Sequence, residues 1–90
     1  MTTARPVHVT ASAVLAAFPA AVGLINVGVA AAGQTLKMHN CTTVGAAAPG
    51  NLIGTFDLAA VNSWFLDGLF DVGVVAIVSG GTPDITITVD

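Results

Sequence analysis

The 90-residue chain has no glutamate and no tyrosine, only two basic residues (Arg5 and Lys37), and a single cysteine, Cys41. Each scarcity excludes a class of function. Two cations cannot neutralise a run of phosphates, which excludes nucleic-acid binding. One thiol cannot build an intrachain disulfide framework or a cysteine-based zinc site. Charged residues make up 8% of the chain, where about 25% is usual. At 54% AVILMFWYC, the chain is also far too apolar to be disordered. Its length suits one small domain with no room for a second core.

The same scarcity poses a surface problem. A globule this small has more surface than core, and seven charged side chains cannot cover it. Much of the exterior must be Ala, Thr, Gly and Val. Soluble monomers rarely expose so much neutral surface, and large patches of it mark contacts with a partner or a membrane.

Residues 6–36 carry no formal charge, a run long enough to imitate a transmembrane helix of about 20 residues. They also imitate a secretory leader, with Arg5 ahead of apolar residues 14–18 and Ala-rich sites at 30–32. Pro19, Gly23, Asn26, Gly28 and Gly33 interrupt the run. Ile25, Val27 and Val29 alternate with period two, which suits a strand. A small membrane-associated protein is therefore kept only as an alternative.

Alternation and turn residues predict about seven short strands. Residues 7–14 read as one strand, cut by Phe18-Pro19. Residues 23–30 form a second, with Ile25, Val27 and Val29 on one face. In residues 35–41, Leu36 and Met38 oppose Lys37 and His39. Residues 43–51 are a loop. Residues 52–58 place Leu52, Gly54, Phe56 and Leu58 on one side. Residues 62–70 carry Trp64, Phe65, Leu66 and Phe70. Residues 74–79 are a buried strand. Residues 84–90 alternate most clearly, with Ile85, Ile87 and Val89 inward. The only helix candidates are residues 11–21, cut by Pro19, and the short stretch 58–66. The fold class is all-β: a single small antiparallel β-sandwich over residues 1–90, with a short N-terminal arm at residues 1–6.

The order of these features resembles a family of small virion proteins of tailed bacteriophages, the capsid decoration and head-fibre-like β-sandwiches. The resemblance spans roughly residues 22–90. It rests on the Gly23–Val27 strand, the strand ending in His39-Asn40-Cys41, the small-residue loop ending at Gly50, the stretch Leu52-Ile53-Gly54-Thr55-Phe56-Asp57-Leu58, Leu66-Asp67-Gly68-Leu69-Phe70, and the two closing strands. Members often carry Tyr-Asp where this chain has His39-Asn40. The resemblance implies a structural role and supplies no catalytic residue.

Chemistry-bearing residues are sparse. His39 and Cys41 are two apart and could face one side of a strand, but two ligands are too few for a metal site. Asp67 and Asp71 flank Gly68 without the dense oxygen spacing of a calcium loop. Ser12, Ser63 and Ser79 lie in no nucleophile elbow with His8 or His39. Asn40-Cys41-Thr42 matches the glycosylation sequon, which matters only in a secreted eukaryotic context. Trp64, Phe65 and Phe70 form an aromatic group that serves either as core or as contact anchor. The arm at residues 1–6, or the first strand with Val7 and Val9, is expected to clasp a neighbouring subunit or the shell.

The expected function is that of a non-enzymatic bacteriophage structural protein without cofactor, located in the virion. It would decorate the outer head surface against the major capsid protein as a homo-oligomer, with a trimer as the first expectation. Candidate interface residues are Trp64, Phe65, Phe70, Val7 and Val9. A tail or neck structural protein, or a host-surface binding module, is the other alternative.

Overall fold

Eight strands account for most of the chain in a computed structural model, which describes residues 5–90. They are β1 (Arg5–Val9), β2 (Ala13–Ala16), β3 (Ala20–Val29), β4 (Thr35–His39), β5 (Leu52–Asp57), β6 (Ser63–Phe70), β7 (Val74–Ser79) and β8 (Asp84–Val89). Two single-turn 3-10 segments, Val44–Ala46 and Pro49–Asn51, break up the β4–β5 connection. The helix candidates at 11–21 and 58–66 are strands and turns.

The strands form two antiparallel four-stranded sheets. Sheet A has the order β1-β8-β3-β6, and sheet B the order β2-β7-β4-β5. Only the β4–β5 connection stays within one sheet; every other connection crosses to the opposite one. The pairs β1·β8, β2·β7, β3·β6 and β4·β5 are nested, as in one long hairpin with its tip at residues 40–51. Rolling that ribbon brings β3 against β8 and β4 against β7, closing the two sheets. This is the eight-stranded jelly-roll arrangement of a β-sandwich.

The expected single strand at residues 7–14 is two strands in different sheets. Bends at Thr10, Ala11 and Ser12 carry the chain across the sandwich. Of the expected arm, residues 1–4 lie outside the described residues. Arg5 and Pro6 are not an arm, because they begin β1 opposite Val89 and Thr88.

Alternation fills the space between the sheets. Ile85, Ile87 and Val89 of β8 meet Val22, Ile25 and Val27 of β3, and Leu36, Met38, Val74 and Ala76 face them from sheet B. All are at most 1% exposed. Burying each large aliphatic side chain contributes about 1.5–3 kcal/mol. Val29 was expected beside Ile25 and Val27 but is exposed. The β3–β8 register shifts between Val27 and Val29, and a one-residue slip turns a side chain to the other face.

Candidate functional site

Period-two geometry separates the adjacent aromatics of β6. Trp64 turns inward opposite Ile25 and packs on the core. Its ring centroid lies 5.2 Å from that of Phe56 at an interplanar angle of 50°. The tilted pair joins edge strand β6 to edge strand β5 and closes that side of the sandwich, contributing about 0.5–1.5 kcal/mol beyond area burial. Phe65 turns outward and is 83% exposed, and Leu69, four residues on, is 71% exposed. Val61, just before the strand, is also largely exposed.

The expected interface residues therefore separate. Phe70 and Val9 belong to the buried core and offer a partner no surface. Their strands place them inward by the alternation that exposes their neighbours. Val7 and Trp64 are half-buried against the core. Phe65 alone of the five presents a large apolar side chain to solvent, and Leu69 and Val61 join it. Leu69 sits two full strand periods beyond Phe65, which is a signal the sequence carries.

A second surface feature lies on the outer face of sheet B. Residues 40–51 fold back over it and leave a groove of about 470 Å³, lined by Lys37, His39, Leu52, Ile77, Val44 and Pro49 among others. His39 faces away from Leu36 and Met38, as alternation predicts, yet it is buried by this loop. Its Nδ1 lies 2.8 Å from Asn51 Oδ1. That oxygen also accepts from the Ala48 backbone N–H, while Asn51 Nδ2 donates to the Ala46 carbonyl. The amide is thus oriented with its oxygen toward the imidazole, so Nδ1 of His39 is the donor.

No protein-family model matches the chain, and no curated protein matches its sequence.

The candidate serines, the histidines and Cys41 are engaged structurally. Ser63 donates to Asn26 Oδ1, Ser79 Oγ pairs with Thr35 Oγ1, and Ser12 bonds the Val78 backbone. None of these hydroxyls bonds a histidine. Cys41 is buried, with its Sγ 3.4 Å from the Thr43 carbonyl. His8 Nε2 meets Asp84 Oδ1 at 2.7 Å across β1 and β8. Among the described residues, no three His, Cys, Asp or Glu side chains gather as a metal site would need. No helix among them is long and apolar enough to cross a membrane.

Asn40, in the sequon, has a role that sequence reading missed. Its Oδ1 accepts from the Val72 and Gly73 backbone N–H groups, and its Nδ2 donates to Asp71 Oδ1 at 2.6 Å. It pins the β6–β7 turn to the end of β4. Asparagine suits this because one amide both accepts and donates.

Proposed function

We propose that the chain is a structural protein of a tailed-bacteriophage particle, decorating the outer surface of the head as a homo-oligomer bound to the major capsid protein. The observation that carries the reading is a saturated core combined with apolar residues left outside it. Phe65, Leu69, Val61, Val29 and Phe18 are each more than half exposed, while Ile25, Leu36, Met38, Phe70, Ile85 and Ile87 already fill the space between the sheets. Neutral surface of this kind is buried against another protein without the desolvation that charges impose. The jelly-roll topology supports the reading by analogy, since it recurs in viral capsid domains as well as in lectins and cupins. The role is non-catalytic and needs no cofactor.

Co-sedimentation with heads of the phage that encodes the protein tests this. Pelleting at many copies per head, in buffer without detergent, is expected. Protein left in the supernatant would overturn the decoration role. The groove on sheet B favours a second reading, a host-surface binding module of the tail or neck. That reading expects binding to intact host cells, lost when Leu52→Glu places a charge in the groove wall.

A further inference from the structure

The sandwich has four edge strands, and three of them are poor templates for pairing. β1 carries Pro6, which has no N–H to donate, and the charged Arg5. β2 is four residues long with a shifted register. β5 is six residues long, breaks register where His39 meets Leu52, and is preceded directly by a 3-10 turn. β6 also shifts register once, opposite Gly23, but it is the longest of the four. It is eight residues long, contains no proline, and pairs only with β3. The chain also continues alongside β3 beyond the strand's first residue, since the Val27 N–H donates to the Asn62 carbonyl. Phe65 and Leu69 of this edge strand are exposed, and so is Val61 just ahead of it.

From this geometry we infer that β6 is the contact between two copies of this chain, paired antiparallel across a two-fold axis at Phe65. An antiparallel strand paired with its own copy generates a two-fold by construction, so one surface serves both partners. Residue placement selects the register. With the axis at residue 65, Phe65 opposes its counterpart, and Leu69 of each copy opposes Val61 of the other. The three most exposed large apolar residues among the described residues are then matched with one another. Position 67, an aspartate, opposes Ser63. With the axis at residue 67, that aspartate would oppose its own counterpart, and like charges directly opposed across strands are destabilising. With the axis at residue 66, Phe65 would be set against the aspartate.

Leu66 and position 67 together oppose Gly23 of β3. This irregularity twists the edge, as bulges do, and keeps the paired stretch short. The interface therefore falls in the small, transient class when the chain is free. Neighbouring copies held on one surface meet at high effective concentration, which favours the same contact. The inference rests on the proposed function only for the expectation of self-association.

The experiment measures the mass of the full chain by sedimentation from about 5 to 200 µM, a range suited to contacts of this size. A rise toward twice the chain mass is expected. Phe65→Lys, which keeps the strand and places two cations at the axis, should leave a monomer over the whole range. A persistent monomer for the unaltered chain overturns the pairing, and so does a trimer. Thiol cross-linking in a Cys41→Ala background tests the register independently of that substitution. Phe65→Cys should link to itself. Leu69→Cys should not, but should link to Val61→Cys when the two are mixed. Self-linking of Leu69→Cys without the mixed product overturns the register. Head binding separates this inference from the proposed function: dimers that ignore heads overturn the decoration role and leave the pairing, and monomers that coat heads overturn the pairing and the homo-oligomeric state and leave the decoration role.

Discussion

At the scale of the residue, single side chains hold places where backbone from distant elements converges. Gly80 has φ of 90°, and a Cβ there would run into the Gly33 carbonyl. Backbone lies on both sides of the contact, so nothing yields easily. Gly80→Ala is expected to destabilise the protein by more than about 1 kcal/mol, read as a lower midpoint in urea. Asn40→Ala leaves two turn N–H groups without their acceptor and should cost about 1–2 kcal/mol. Asn40→Asp should cost more, because its carboxylate would face that of Asp71. Thermal melts of the two variants check the order. Phe70→Ala removes the largest fully buried side chain and should cost about 3–5 kcal/mol, a large share of the 5–15 kcal/mol typical of a whole domain. Chemical denaturation measures it. The same substitution at Phe65 should change monomer stability by less than about 0.5 kcal/mol, as is usual at the surface.

At the scale of the element, the side-chain amide of Asn51 ties the segment from 40 to 51 to itself and to β4. Asn51 receives the His39 imidazole and the Ala48 N–H and returns a bond to Ala46. Asn51→Ala should loosen this segment while leaving both sheets intact. Hydrogen exchange should speed up at Ala46 and Ala47, whose amides close the first 3-10 turn, and stay slow in β3 and β8. Elements also differ in how legible they were. β7 and β8 could be read from the sequence because a continuous apolar run and a strict alternation each have one structural solution. The division of residues 7–14 into β1 and β2 could not, since Thr10, Ala11 and Ser12 include neither glycine nor proline to mark a crossing. Val29 departs from the alternation for a related reason: a bulge changes facing without a residue type that announces it. Phe65 and Phe70 looked alike as aromatics of one strand, and only the parity of β6 separates surface from core.

At the scale of the whole molecule, nested pairing sets the folding problem. Arg5 pairs with Val89, at opposite ends of the described chain, and only β4 and β5 pair across a single connection. Contacts of such long sequence separation must pay loop-closure entropy before they gain energy, so folding is expected on the order of milliseconds to seconds. Stopped-flow tryptophan fluorescence, with Trp64 as the only tryptophan, measures it. Complete relaxation within microseconds would contradict the nested order.

The sequence by itself determined the fold class, the central strands and the shortage of charge. Those follow from composition and local alternation, which each short stretch carries independently. The tertiary structure decided which sheet each strand joined, which apolar residues the core could absorb, and that β6 was left with a long, open and apolar edge. These outcomes depend on pairings between residues far apart in the chain and on single-residue shifts in register, and neither leaves a mark in any local window of sequence.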